Sequence, residues 1–160
     1  MRPFKYITLV GAASIMLSVP ASAADQDVNF RGVVNDSCSL VVLNDGLLGV
    51  SSDQTVLSSK EAGGLRGRVS VVTNGPGNTI EIISPSGFAV GPPSADLNTV
   101  FEAEYSASGG TILSNLLGVV VSLLGIGTTT IDIDATATKT SGAFESGAYE
   151  LITVVRCVVP

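Results

Sequence analysis

Short β-branched runs, cut again and again by turn residues, constrain this chain more than any other feature. The cuts are Asn44-Asp45-Gly46, Gly63-Gly64, Asn74-Gly75-Pro76-Gly77, Pro85-Ser86-Gly87, Gly91-Pro92-Pro93, Gly109-Gly110, Ser141-Gly142 and Ser146-Gly147. Turn signals at such intervals predict a β-sandwich or barrel. Several runs between them alternate with period two. Val28, Phe30, Gly32 and Val34 share one face; Ile80 and Ile82 flank Glu81; Phe101, Ala103 and Tyr105 alternate with Glu102 and Glu104. The clearest run sets Ile131, Ile133, Ala135 and Ala137 against Asp132, Asp134, Thr136 and Thr138. One buried and one wet face explain that pattern. A last strand over Tyr149 to Val159 places Tyr149, Leu151, Val155 and Cys157 on one side. About eight strands are expected in all.

Composition removes several function classes. The chain has 160 residues, one domain at most, with 45% hydrophobic and 14% charged residues. That is too apolar for intrinsic disorder. Eight bases against 14 acids give a net charge of −6, too little positive charge for a nucleic-acid face. No His is present. A Ser-His-Asp triad, a Cys-His pair and His-ligated zinc are therefore excluded. No cofactor motif appears, and the balance points away from an enzyme.

The first 23 residues read as an export signal. Arg2 and Lys5 precede an apolar stretch from Tyr6 to Val19, and Ala21-Ser22-Ala23 is a small-x-small cleavage pattern. The stretch falls short of the roughly 20 residues that span a bilayer. The predicted domain is then residues 24–160, placed in the periplasm, at the cell surface or outside the cell. Loss of Arg2 and Lys5 leaves 6 of the 8 bases against 14 acids, a net charge of −8.

Cys38 and Cys157 are the only cysteines. In an exported chain they most simply form one disulfide, here joining the first and last strands and enclosing nearly the whole domain. They lack the Cys-x-x-Cys spacing of a catalytic thiol pair.

Residues 112–126 carry no charge. The segment reads as a short helix across one end of the sandwich or as a two-stranded hairpin turning near Gly118. It is too short to span a membrane. Either way it is core or a contact surface, with Leu116, Leu117, Val119, Val121, Leu123 and Leu124 as the contact residues.

Other motifs are weak. Asp132 and Asp134 sit two apart on one strand face and supply too few oxygens for calcium; a solvated face is the simpler reading. No signature singles out a carboxylate pair for glycoside hydrolysis. Asn74-Gly75-Pro76-Gly77 lacks the Lys-Ser/Thr of a phosphate loop and reads as a turn. Lys60, Arg66 and Arg68 form a basic cluster that suits either a wet loop or an anionic partner.

The run Val28-Asn29-Phe30-Arg31-Gly32-Val33-Val34, followed by Cys38, resembles the first strand of type 1 fimbrial pilins, the subunits of chaperone–usher pili. Asp53-Gln54-Thr55-Val56 looks like the pilin segment leading into the next strand. Ala135-Thr136-Ala137, then Gly142, Phe144, Gly147 and Tyr149, is similar to the end of pilins and of spore-coat-U-like secreted proteins. The resemblance implies a single immunoglobulin-like, pilin-like β-sandwich. It also implies a non-enzymatic structural subunit of a pilus or coat, whose partners are its own copies, other subunits or a periplasmic chaperone. Two features depart from the pilins. The second cysteine lies at the C-terminus, and only residues 24–29 precede Phe30. Either Val28–Val34 is itself a donor strand, with Val28, Phe30, Gly32 and Val34 as its pairing face, or the domain is self-complete and does not polymerise. A disulfide from Cys38 to the last strand favours the second case, in which the last strand closes the sheet. The alternative function is a self-contained secreted binding module.

Overall fold

A computed structural model describes residues 26, 28–117 and 122–160. The chain divides into an N-terminal unit, Met1–Val33, and a compact unit, Val34–Pro160. The export signal and the 118–121 part of the apolar segment, with Val119 and Val121, lie outside the described residues. Among those described there is no helix, and so none long and apolar enough to cross a membrane.

Among the described residues the compact unit is an all-β sandwich of ten strands. In chain order they are β1 (Cys38–Asn44), β2 (Gly49–Val50), β3 (Val56–Ser58), β4 (Gly67–Thr73) and β5 (Thr79–Ile83). Then come β6 (Thr99–Gly109), β7 (Leu113–Leu117), β8 (Ser122–Leu123), β9 (Gly127–Lys139) and β10 (Val154–Val158). Seven of them form one antiparallel sheet and three form the other, in the order β10-β5-β8.

β9 organises the large sheet. One of its edges pairs with β6 along nearly the whole strand. The other pairs with β4 over Gly127–Ile133 and with β3 over Thr136–Thr138. Between those partners Ala135 would lose its ladder. Ser59 replaces it: the Ser59 amide donates to the Ala135 carbonyl at 3.0 Å, and the Ala135 amide donates to Ser59 Oγ at 3.2 Å. A buried backbone group left unpaired would be costly, so this serine lets one strand serve two neighbours.

The alternation expected of β9 is observed. Ile131, Ile133 and Ala137 are buried, while Asp132, Asp134, Thr136 and Thr138 lie on the other face. The main core sets Val69, Val71, Tyr105, Ile131 and Ile133 of the large sheet against Ile80 and Ile82 of the small one. A second cluster holds Leu57, Ala137 and Phe144 with Phe88, Phe101 and Tyr149. Phe88 meets the other three rings edge-on, at centroid distances of 5.0 to 5.8 Å, the arrangement that aromatic quadrupoles favour.

Four expectations need correction. Val28–Val34 forms no strand; the first strand is β1. An alternating pattern prepares a segment for pairing, but a strand exists only where a neighbour takes its backbone groups. The 112–126 segment holds no described helix. Its ends are strands β7 and β8, yet these are not partners: β7 pairs with β6 in the large sheet and β8 with β5 in the small one. Leu117 and Leu123 are exposed while Leu124 is buried, so these apolar residues do not share one environment and no single period marks the segment. The last strand is shorter than expected, Val154–Val158; Val155 and Cys157 pack on the main core, while Tyr149 and Leu151, which precede the strand, pack on the second cluster. Finally, β10 does not close the sheet against β1. The two belong to different sheets, and no ladder joins them among the described residues.

Candidate functional site

The first and last strands form the two lips of a gap. β1 ends the large sheet and β10 ends the small one. Each therefore presents one edge of unpaired backbone groups, the usual template for another strand. At one end the Cys38–Cys157 disulfide ties the lips together with a Cα–Cα distance of 6.4 Å.

Register shows which side chains face the gap. Leu40 lies opposite Val71 and Val42 opposite Val69. Val71 and Val69 are buried, so Leu40 and Val42 share their inner face. Inner-face residues of a closed sandwich are covered. Here Leu40 is 39% exposed and Val42 63% exposed. Across from them stand Val155, Thr153 and Leu151. Between the two rows is a cleft of about 560 Å³, floored by Val69 and Ile133 and continuing to Asn44 and Tyr149. Tyr149 donates its hydroxyl to the Glu145 carbonyl at 2.7 Å, and burial pushes its phenol above the usual value.

β1 is apolar on its other face too. Leu40-Val41-Val42-Leu43 is an unbroken run, and Val41 and Leu43 are exposed on the outer side. Strands covered on both faces read this way. The absence of alternation was the available signal for the gap, and sequence reasoning, which looked for alternation, missed Leu40, Val42 and Thr153.

The chain just before β1 is fastened. The Ser37 amide donates to Asn74 Oδ1 at 2.7 Å, and Asn74 Nδ2 donates to the Asn35 carbonyl at 3.0 Å. Asn78, fully buried, donates to Asp36 Oδ1 at 3.0 Å. Gly75 leaves room for this carboxylate, since a Cβ at that position would stand 2.1 Å from it and push the Asp36 side chain aside. Asn74-Gly75-Pro76-Gly77 is thus the β4–β5 turn, as expected, and it holds residues 35–37 beside the disulfide end of the gap.

The nominated residues distribute as follows. Cys38 and Cys157 are bonded. Val28, Phe30, Gly32 and Val34 lie in chain without secondary structure, with Val28, Phe30 and Val34 largely exposed. In the 112–126 segment Leu124 is buried and Leu116 packs on the core, whereas Leu117 and Leu123 are exposed.

The carboxylates and bases of the large sheet face one another. Asp134 is opposite Glu104 in the β6–β9 ladder, a repulsive placement. Lys60 pairs with Glu104, Arg66 approaches both Asp132 and Asp134 at 3.6 and 3.7 Å, and Ser59 Oγ donates to Asp134 at 2.7 Å. Arg68 Nε donates to Asp132 at 2.6 Å, which holds that carboxyl below its ordinary value. The basic cluster is therefore matched within its own sheet. Among the described residues no group of three or more His, Cys, Asp or Glu could hold a metal ion.

No protein-family model, no curated protein and no solved structure matches this chain.

Proposed function

We propose that this chain is an exported, non-enzymatic structural subunit of a pilus-like or surface-coat assembly. Its cleft accepts the Val28–Val34 segment of a second copy as an added strand. One observation carries the reading: the inner-face residues Leu40 and Val42 are uncovered, between two sheet edges that lack a partner. Strand addition satisfies both at once, backbone edge by hydrogen bonding and alternate side chains by burial.

The segment proposed for the cleft forms no strand of its own. Val28, Phe30, Gly32 and Val34 alternate with polar Asn29 and Arg31, the pattern of a strand with one face inward. Seven residues extend about 23 Å, enough to match the seven residues of β1. Residues 35–37 are fastened to Asn74 and Asn78, which favours a neighbouring copy as the donor. A head-to-tail contact of this kind propagates as a fibre wherever its rotation does not close a ring. The resemblance to fimbrial pilins around Phe30-Arg31-Gly32 points the same way.

The test is assembly. Purified chain should form ladders or fibres, and Gly32→Asn, which puts a polar side chain on the inserting face, should block them. Chain that stays monomeric at high concentration refutes the reading in favour of a self-contained binding module.

A further inference from the structure

We infer that the free edge of β1 pairs with β1 of a second copy, antiparallel and centred on Val41. This contact does not use residues 28–34 and goes beyond the reading of the cleft as a strand acceptor.

An open sheet edge carries unpaired backbone groups, and folded proteins blunt such edges with short strands, charge or irregular backbone. Among the described residues the sheet edges are β1, β2, β7, β8 and β10. All but β1 are blunted. β2 and β8 have two residues each. The β6–β7 ladder has a register shift, and Asn115 of β7 sits in the left-handed region at φ 33°. β10 carries Arg156. β1 runs for seven residues, Cys38-Ser39-Leu40-Val41-Val42-Leu43-Asn44, with no charge and no proline. Its irregularity comes only at its end, between Val42 and Asn44. The devices that keep the other edges single are missing from this one.

The residues of β1 select the occupant. A 28–34 strand with its apolar face inward sets Asn29 and Arg31 on the outer side, beside the exposed Val41 and Leu43. A second β1 supplies apolar neighbours on both faces. Centred on Val41, the pairing puts Leu40 opposite Val42 on the inner face, twice. On the outer face it puts Val41 opposite Val41 and Leu43 opposite Ser39. Apolar pairs directly across a ladder stabilise it. Charge favours the same strip. The chain has a net charge of −6, so two copies repel least where the surface is uncharged. Asp36 and Asp45 bracket β1; in this register Asp45 of one copy reaches Ser37 of the other, next to Asp36, and like charge there opposes a longer overlap. Cys38 has the inner parity of Leu40, so the disulfide lies on the inner face and leaves the strand edge clear. The contact is isologous and closes at two copies. One backbone edge takes one strand, so this pair and an inserted 28–34 segment exclude each other.

The experiment uses oxidised full chain carrying Gly32→Asn, which removes strand donation on the reading above. Sedimentation equilibrium over a concentration series should show monomer and dimer and nothing larger. Val41→Lys or Val41→Glu in that chain brings like charges together at the axis and should weaken the dimer at least tenfold. Mixing the two variants in equal amounts should restore the dimer to within threefold of the parent, because opposite charges then meet. Leu117→Lys, at an exposed position of β7, should change dimerisation less than twofold. Urea midpoints close to the parent's show that the variants are folded. Amide exchange in the parent needs no Val41 variant: it should slow within residues 38–44 as concentration rises, and not within residues 113–117. A parent that stays monomeric, a dimer that Val41→Lys leaves intact, or a mixture that does not recover overturns the pairing. The cleft is judged separately. The Val41→Glu monomer should bind a labelled peptide of residues 28–34, and failure there overturns strand acceptance while leaving the β1 pair standing.

Discussion

Val42 and Val71 are the same residue type on the same face of neighbouring strands, and they should behave in opposite ways. A Val→Ala change removes two carbons, about 1.6 kcal/mol of apolar transfer when fully buried. Val71 is 0% exposed, so Val71→Ala should cost the free chain that full amount plus a cavity contribution. Val42 is 63% exposed. Val42→Ala should therefore cost the free chain only about 0.6 kcal/mol, with about 1.0 kcal/mol still to be realised when something covers the cleft. That remainder is about a fivefold loss in affinity for the 28–34 peptide. Urea midpoints measure the first quantity, and fluorescence polarisation with the labelled peptide, in the Gly32→Asn background, measures the second. Two results refute the reasoning: a Val42→Ala stability loss as large as that of Val71→Ala, or a peptide affinity that Val42→Ala leaves unchanged.

Removing the disulfide by Cys38→Ser/Cys157→Ser should destabilise the chain by up to about 4.9 kcal/mol on the chain-entropy estimate for its sequence separation of 119, read as a drop in the denaturant midpoint that reductant does not deepen. Asp132 is held below its ordinary value by Arg68; a depressed carboxyl stabilises the fold above its unfolded value and loses that contribution as pH falls through the folded one. Acid titration of wild type should thus show a loss below about pH 4 that Asp132→Asn lacks, small because the pair is surface-exposed, about 1 kcal/mol at most. Gly64→Ala should lower the melting temperature, since a Cβ there would sit 2.5 Å from the Ser59 carbonyl and displace the serine that completes the β9 ladder.

What the sequence showed depended on how each strand meets its surroundings. β9 was legible because Ile131 and Ile133 face a core while Asp132 and Asp134 face solvent, so burial imprinted its period on the residues. The disulfide was legible because two cysteines admit one pairing. β1 was not, because Leu40 to Leu43 are apolar on both faces and a period cannot appear where both sides are apolar. Val28–Val34 misled in the opposite sense: its alternation is present, but the described chain offers it no ladder. That β7 and β8 belong to different sheets was hidden because the 112–126 run is apolar almost throughout and carries no period. The cleft itself is a property of which strands end the two sheets, and no local window of residues encodes that.

The disulfide also carries a clock. Cys157 is synthesised 119 residues after Cys38. Until then the Cys38 thiol has no partner in its own chain, and the apolar run behind it has no closed cleft beside it. Oxidation therefore marks a molecule in which both β1 and β10 have been made. A chain cut short before Cys157 could fold many of its strands, yet it would lack the bond that ties β1 to β10. An assembly that admits only oxidised subunits would by the same test exclude incomplete ones.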